Sequence, residues 1–462
     1  MRKSNLLGGA ILLSALFVNT SCKEVFGNLD LSGDTTVSSY VAINTATKTA
    51  APAEEFTLSI TKIGDGTVTW SSSDPAIAEV QGAGLSAKVI AKKSGNATIT
   101  ANVAAAGNYQ AGSAKCAVAV RVKTGEQFAK DLEAKKSDDK IVIYLADNAN
   151  IDLSEQTGNT TFPVNTEVLG TEGKPATITM GKKGFAVNQG LTIQNAEIDA
   201  TAVTETLITL KDSKKKVVKT DGTESEYLKY DDLILRNLTI KAVGKNFVKI
   251  NDNARADNIL VDNCIIDFVK ALKDNEMVYS TIFAFGNAFY NNFTIQNSTL
   301  YSKDGHNQYL IQSHAKPVNL EKDGDGNYPG KVITTLDHVT MYQIAMGKQM
   351  NNSNGNMKGK EFITQNLTNC ILVNSANAGS NTVKGWLFGQ ASTTPTRTYD
   401  NNTYWTDSNY SSNWITTNGG AGDESGTVIT TFDGFKDVTK GDFTISSGVQ
   451  KEKQTGDPRW VK

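Results

Sequence analysis

The pair Asp337-His338 carries the side chains best suited to moving a proton. A carboxylate beside an imidazole can hold the ring and adjust its basicity, as general acid–base catalysis requires. His314 joins them as a catalytic candidate, because it and His306 flank the segment 309–312. Histidines in such positions more often lie at the surface than act as ligands. The sequence thus supplies three catalytic candidates but no recognised catalytic motif.

A short acidic run supplies the candidate metal ligands. Asp323, Asp325 and Asn327 alternate within 322–327, as the oxygen ligands at the start of a calcium loop do. The run lacks a glycine after the third ligand position and a bidentate glutamate at its end. A solvated turn is the favoured interpretation, and calcium is the one cofactor that the sequence suggests.

Three aromatic residues are candidates for carbohydrate contact: Tyr309, Trp386 and Tyr404. An exposed ring offers an apolar face to the C–H surface of a sugar, while polar neighbours bond its hydroxyls. The competing interpretation is that these rings stack inside the fold or under its C-terminal cap. Both interpretations stay open.

A repeat sets the fold that must position these residues. The pattern apolar, any, apolar, any, Asn, any, any, apolar recurs, with the Asn position at 195, 237, 263, 297, 338 (where His338 replaces Asn), 369 and 401. Spacings of 26 to 42 residues between these positions indicate a solenoid. Asn tolerates the left-handed backbone of a sharp bend between two strands. We therefore predict a right-handed parallel β-helix over 124–462, with His338 serving as a turn residue.

Other local patterns agree with an all-β chain. Cys264 and Cys370 each follow a repeat Asn and are expected to be small buried hydrophobes, with a disulfide between them as the alternative. Residues 124–136 predict a short helix with Phe128 and Leu132 in its apolar stripe and Ala129 beside them. Such a helix can cover the open end of the stacked strands.

The N-terminal third divides into an export signal and a small domain. Residues 1–21 have a basic start and an apolar run over 6–18, which is too short to span a membrane. Cys22 follows the expected cleavage point, and 22–34 form a polar tether. Short alternating strands separated by turn signals over 35–122 predict a β-sandwich.

Two resemblances add to this interpretation. Cys22 occupies the attachment position of bacterial lipoproteins. That resemblance implies a lipid anchor as the membrane contact and a bacterial cell envelope location, the outer membrane, with plain secretion as the alternative. Segments 68–80 and 95–101 resemble the bacterial Ig-like domain, group 2. That resemblance implies that Trp70 is a core residue and that the domain is a spacer or adhesive module.

Residues 124–462 resemble exported Bacteroidetes proteins with a β-helix domain of unknown function, and more broadly the pectin-lyase-like superfamily. The segments 169–176, 440–445 and 455–460 carry the first resemblance, together with the start at Cys22. It implies a polysaccharide-utilisation context and names no catalytic residues. Asp337-His338 also resembles a pair in pectate lyases. Those enzymes need calcium-binding acids and an arginine base that no arginine of the repeat region matches.

Composition limits the choice of function. Lysine and arginine total 46 against 48 acidic residues, so the chain lacks the basic excess of nucleic-acid binding. The leading hypothesis is an envelope-anchored carbohydrate-binding or adhesion protein with a glycan partner. A polysaccharide lyase or glycoside hydrolase with a site across β-helix coils is one alternative. A structural surface stalk without a small ligand is another.

Overall fold

The chain is all-β, as its sequence predicts. The structure, a computed structural model, describes residues 36–219, 221–251, 253–313, 332–353, 363–376, 396–407, 414, 422–446 and 448–462. Its first eight strands are β1 (Tyr40–Ile43), β2 (Thr47–Ala50), β3 (Glu55–Ile63), β4 (Val68–Ser72), β5 (Ala78–Gln81), β6 (Ser86–Ala91), β7 (Gly95–Val103) and β8 (Gly112–Val120).

These strands form two four-stranded sheets, which we call the N-terminal unit (residues 36–122). The sheet orders are β1-β3-β6-β5 and β2-β8-β7-β4. Side chains of both sheets meet in one core that includes Leu58, Val89, Ile99 and Val118. Trp70 is half-buried against this core, and its indole Nε1 donates to the carbonyl of Gly84 (3.0 Å).

Helix α1 (Gly125–Ala134) confirms the predicted helix and follows the N-terminal unit directly. The Thr124 hydroxyl accepts from the backbone N–H of Gln127 (3.2 Å), which caps the first turn. Phe128 is fully buried and Leu132 packs beside it, but Ala129 is exposed. Gly125 lies so close to the next strands that an added Cβ would stand 1.7 Å from the carbonyl oxygen of Asp152.

A buried ion pair on this helix joins it to the N-terminal unit. The Asp131 carboxylate accepts from the backbone N–H of Ser94 (2.8 Å), and Lys135 Nζ lies 3.0 Å from the same carboxylate. Lys135 Nζ also donates to the carbonyl of Ser94 (2.8 Å). A buried charge is tolerated only when it is paired and hydrogen-bonded, as both are here. The network therefore fixes α1 against the loop before β7.

The remaining strands form what we call the body. They are β9 (Lys140–Tyr144), β10 (Asn150–Leu153), β11 (Thr160–Phe162), β12 (Asn165–Leu169), β13 (Ala176–Met180), β14 (Phe185–Val187), β15 (Leu191–Asp199), β16 (Ile208–Leu210), β17 (Lys216–Val218), β18 (Glu224–Tyr230), β19 (Leu233–Val243), β20 (Val248–Ile250), β21 (Ala254–Asp262), β22 (Ile265–Phe268), β23 (Ala271–Lys273), β24 (Glu276–Val278), β25 (Phe283–Gly286), β26 (Phe289–Tyr301), β27 (Ile311–Ser313), β28 (Val332–Tyr342), β29 (Asn351–Ser353), β30 (Ile363–Thr368), β31 (Ile371–Val373), β32 (Thr396–Asp400), β33 (Thr403–Trp405), β34 (Phe435–Asp437) and β35 (Asp442–Ile445). A short 3-10 helix (Val438–Lys440) and α2 (Gly448–Lys453) complete the described elements.

Successive repeats of the body stack by parallel pairing. The larger sheet runs β10-β13-β15-β19-β21-β26-β28-β30-β32 and has side branches. The smaller sheet runs β11-β14-β16-β20-β25-β27-β29, and all of its described pairs are parallel. The alternate inward side chains of both sheets form one continuous hydrophobic core. Each repeat thus gives strands to both sheets around a shared interior.

The predicted bend at each repeat Asn is confirmed. All seven positions have left-handed φ values, between 49° at Asn297 and 55° at Asn195. His338, with φ 53°, takes the same conformation and substitutes for Asn as expected. The bends split long strands: the first part of β15 pairs with β12 and the second part with β13. Cys264 and Cys370 are buried free thiols, so the disulfide alternative is wrong.

The C-terminal segment 455–460 crosses the outside of the stack. The backbone N–H of Gly456 donates to the carbonyl of Asn369 (2.6 Å), and that of Asp457 donates to Thr340 Oγ1 (2.9 Å). The Arg459 guanidinium pairs with the fully buried Asp457 carboxylate and donates to the carbonyl of Cys264 (2.8 Å). These contacts tie repeats that are far apart in the sequence, and we call 455–460 the strap.

We predict that Gly456→Ala destabilises the fold more than Gly434→Ala. Both glycines have positive φ (86° and 96°), which costs an alanine about 1–2 kcal/mol. An added Cβ at Gly456 would also lie 2.7 Å from Ile371 Cδ1 and 2.8 Å from Thr340 Oγ1, both buried, whereas nothing lies within 4 Å at Gly434. The extra loss should be about 1–3 kcal/mol, measured by chemical denaturation. Equal losses would show that the strap is not tightly seated.

Candidate functional site

One outward-facing column of the smaller sheet forms the floor of a groove. The register aligns Lys249 of β20 with Ala284 of β25, and Ala284 with Gln312 of β27. Side chains on one face of adjacent parallel strands stand side by side. Because the alanine side chain is small and lies between two long polar side chains, it leaves a depression in the surface of the sheet.

The groove has a volume of about 780 Å³ and a mainly polar lining. Amide and hydroxyl side chains predominate, Lys249 is the one charged group among the described lining residues, and no carboxylate is among them. The lining residues are Asn246, Lys249, Ile250, Asn251, Val278, Tyr279, Ser280, Thr281, Ala284, Gly286, Gln308 and Gln312. Among the residues that the structure describes, no hydrogen bond or ion pair engages Lys249 Nζ. A groove of this kind can bond a neutral polyhydroxyl ligand.

A buried histidine supports one wall of this groove. His306 is 1% exposed, so the expectation that it lies at the surface is wrong. Its Nε2 donates to the carbonyl of Ser280 (2.9 Å), and its ring lies 4.8 Å from that of Tyr279. The Tyr279 hydroxyl shares a hydrogen bond with Ser302 (2.8 Å). Burial lowers the pKa of His306 to about 4, which keeps the ring neutral and the wall fixed at ordinary pH.

The catalytic candidates Asp337 and His338 form a turn rather than an open acid–base pair. His338 Nδ1 lies 3.0 Å from Asp337 Oδ2, while the Thr368 hydroxyl (2.6 Å) and the Asn369 amide (2.9 Å) donate to Asp337 Oδ1. Burial raises the pKa of Asp337, but these hydrogen bonds outweigh it and hold the pKa at about 2. The hydrogen bond to Asp337 raises the pKa of His338. The carboxylate is therefore committed to holding the turn.

A second groove, of about 430 Å³, lies on the larger sheet and is acidic. Glu167, Asp231, Asp232 and Asp257 line it together with Lys140. Lysines neutralise three of these carboxylates: Lys140 pairs with Glu167 (2.6 Å), Lys229 with Asp257 (2.9 Å), and Lys215 with Asp231. Burial raises the pKa of Asp231, but hydrogen bonds from Lys215 and Asn165 outweigh it and lower the pKa. That carboxyl stays ionised and cannot donate a proton near neutral pH.

The described aromatic candidates for carbohydrate contact, Tyr404 and Tyr309, differ in how deeply they are buried. Tyr404 is 1% exposed, stacks on Trp414 (5.5 Å) and donates its hydroxyl to Asp423 (2.8 Å), so its ring cannot meet a glycan and that prediction is wrong. Tyr309 is half-buried, with Lys348 Nζ 5.7 Å from its ring centre. It follows the groove residue Gln308 in the chain but does not itself line the groove.

Several predicted residues fall outside the described residues: Cys22, His314, Asp323, Asp325, Asn327 and Trp386. Within the described ranges, no three His, Cys, Asp or Glu side chains come together as a metal site would require. None of the helices that the structure describes has the length and apolar character needed to cross a membrane.

Sequence reasoning missed the groove residues. Asn246, Asn251 and Gln308 lie in connections between strands and carry no motif. The signal that could have revealed the groove is the alignment of Lys249, Ala284 and Gln312 in one column. Recognising that alignment requires the register of the smaller sheet. That register is set by connections of variable length, so the repeat pattern alone does not reveal it.

We predict that the stability of the fold falls as the pH drops from about 6.5 to 4, because of His306. Unfolded His306 binds a proton near 6.5, whereas the folded residue binds it near 4, so in this window the unfolded state takes up the proton first. The free energy of unfolding should decrease by up to about 3 kcal/mol across the window. Denaturant unfolding at several pH values measures it.

Two variants isolate this effect. His306→Gln should flatten the pH dependence between about 6.5 and 5, since glutamine does not titrate; nearer pH 4 the carboxyls with lowered pKa, such as Asp231 and Asp337, retain a slope of the same sign. His338→Asn should retain it, because a group with a raised pKa, such as His338, loses its contribution to stability as the pH rises above about 6.5, outside this window. An unchanged slope in His306→Gln would assign the effect to other groups.

Comparison with known families covers most of the body. Residues 144–303 match a family model described as Domain of unknown function (DUF4957). Residues 334–460 match a second one, Domain of unknown function (DUF5123). No curated protein and no solved structure matches the chain. The first match includes most of the groove lining, and the second contains the strap.

Proposed function

We propose that the protein is an envelope-anchored carbohydrate-binding or adhesion protein. The observation that carries this proposal is the amide- and hydroxyl-lined groove around Ala284. Its volume lies within the usual range of small-molecule sites, roughly 300–1,000 Å³. Side-chain amides both donate and accept hydrogen bonds, as sugar hydroxyls do, so a row of them suits a glycan better than a charged ligand.

The body is, in this proposal, a right-handed parallel β-helix of the pectin-lyase-like kind. Parallel strands that recur in two sheets around one core support it, and crossovers between parallel strands are right-handed in nearly all proteins. The N-terminal unit would be a bacterial Ig-like spacer. Lipidation of Cys22 would hold the chain at the outer membrane, in a polysaccharide-utilisation context. The stacked rungs then present a long, rigid lateral face to an extended polymer.

The acidic groove suggests a second candidate function, polysaccharide cleavage. Glycosidases need two carboxyl groups, one of which keeps a proton. Glu167, Asp231 and Asp257 each face a lysine instead, and the pKa of Asp231 is lowered. Binding is therefore the better-supported proposal. A stalk without a ligand is less well supported, because a simple stalk has no need of a 780 Å³ recess.

We predict that Ala284→Trp weakens glycan binding strongly and that Thr209→Trp does not. Ala284 faces outward at the centre of the groove, so an indole there fills the recess without entering the core. Thr209 belongs to the same outward column, one rung before Lys249, and does not line the groove. Residues 22–462 with Cys22→Ser would be screened on a glycan array. Affinity for any hit should fall about ten-fold or more in Ala284→Trp.

The same glycans should be tested for cleavage. New reducing ends or unsaturated products would replace the binding proposal with the enzymatic one. Binding that survives in Ala284→Trp would place the glycan elsewhere on the protein. An array without hits, together with intact glycans, would favour the stalk.

A further inference from the structure

Exposed apolar side chains concentrate at one end of the N-terminal unit. Seven large hydrophobic residues are more than half exposed in the described part of the chain, and four of them belong to this unit. They are Val37 (53%), Tyr40 (56%), Ile63 (56%) and Leu85 (55%). The other three are on two hairpins of the body: Val218, Leu272 and Met277.

Backbone pairing brings these four residues to the same end. Tyr40, the first residue of β1, pairs with Ile63, the last residue of β3. The backbone of Val37 bonds the loop between β7 and β8 in both directions, donating to Asn108 (2.7 Å) and accepting from Gln110 (2.9 Å). The loop before Leu85 reaches the start of β4, where Gly84 N–H donates to the carbonyl of Val68 (3.4 Å). We call residues 36–40, 62–67, 82–86 and 104–112 the outer tip.

The body attaches at the opposite end of the same strands. Val120 pairs with Gly95 there, next to Ser94 and its hydrogen bond to Asp131 of α1. The nine residues of β8 separate the two ends by about 30 Å. The outer tip therefore points away from the body and from the glycan groove.

Composition and chain direction indicate what the tip meets. The outer tip has only two charged residues, Lys62 and Asp65, of opposite sign. Thirteen residues separate its first residue, Thr36, from Cys22. Whatever its conformation, a chain of that length spans at most about 50 Å. A lipid on Cys22 would thus keep the bilayer surface within reach of the tip.

We propose that the outer tip seats on the bilayer surface beside the lipid of Cys22. Tyrosine favours the boundary between headgroups and acyl chains, where its ring is in an apolar layer and its hydroxyl is solvated. Tyr40 occupies that boundary, and Val37, Ile63 and Leu85 enter the apolar layer next to it. This second contact orients the strands of the N-terminal unit away from the membrane and holds the body outward. The proposal rests on the envelope anchoring proposed above.

Tethered vesicles test the contact independently of cellular lipidation. Residues 22–462 with Cys22→Ser and an N-terminal hexahistidine would be bound to phosphatidylethanolamine–phosphatidylglycerol vesicles that contain a nickel-chelating lipid. An environment-sensitive nitrobenzoxadiazole label is attached at Ala105→Cys in the tip, or at Ala134→Cys on α1 as the distant control; both alanines are exposed. The three cysteines of the described residues are buried and should not react. Quenching by lipids with a shallow doxyl group is then measured.

We expect quenching at position 105 and little at position 134. Tyr40→Ser with Ile63→Ser should reduce quenching at 105 at least about two-fold, because it removes much of the apolar contact. Val218→Ser with Met277→Ser removes comparable exposed surface from the body and should change nothing. Circular dichroism melts confirm that both double variants fold.

Two results would overturn the proposal. One is equal quenching at position 105 in the native tip and in Tyr40→Ser with Ile63→Ser. The other is a blue-shifted label without lipid quenching, which would mean that protein covers the tip, either residues 23–35 or a second copy. Lipidation itself is measured separately, by metabolic labelling of Cys22 and Cys22→Ser chains with radioactive palmitate. Its failure would remove the anchor without deciding whether the tip binds lipid.

Discussion

The left-handed bend at one residue of each repeat is the constraint on which the body depends. At seven positions φ lies between 49° and 55°, a region that costs most residues about 1–2 kcal/mol and asparagine less. The bend directs the strand before it and the strand after it onto different faces of one core. Because the bend occurs at the same step in each repeat, the inward residues stay in register. A slip of one residue would turn every apolar side chain outward.

Side-chain hydrogen bonds reinforce these bends, but not without interruption. Asn237 donates to Asn195 (2.8 Å) and Asn263 donates to Asn237 (2.8 Å), so the first part of the ladder is continuous. Asn297 turns instead to Asp262 (3.1 Å). A histidine ring cannot both donate and accept along the stack as a side-chain amide does, because its two nitrogens lie at different positions on the ring. His338 bonds its neighbour Asp337 instead.

The strap crosses the stack where this ladder is interrupted. Arg459 donates to the carbonyls of Asn263 (3.3 Å) and Asn297 (3.2 Å), the two bends that do not bond each other. A guanidinium has several donors in a rigid plane, so one side chain can satisfy both repeats. At this position the C-terminal segment therefore links adjacent repeats, as hydrogen bonds between asparagine side chains do elsewhere in the stack.

The sequence predicted the parts of the fold that depend on local pattern. The bends, the substitution of His338 for Asn, the capped helix and the all-β composition all follow from residues close together in the chain. Burial that depends on distant segments was not predictable. His306 is buried because the backbone of residues 343–346 closes over it, and Tyr404 because Trp414 and Asp423 approach from a later segment.

Side chains inside the body and on its surface have to meet different requirements. For this reason the fold is easier to predict from the sequence than the function. Inward positions must be apolar to fill a shared core, so they repeat. Outward positions such as Lys249, Ala284 and Gln312 do not have to fill a core. The residue at such a position can therefore differ from one repeat to the next without disturbing the neighbouring column of side chains. A recess arises where a small outward residue coincides with a connection that builds a wall, as Tyr279 and Ser280 do over His306. Specificity for a ligand therefore resides in the residues that the repeat leaves unconstrained.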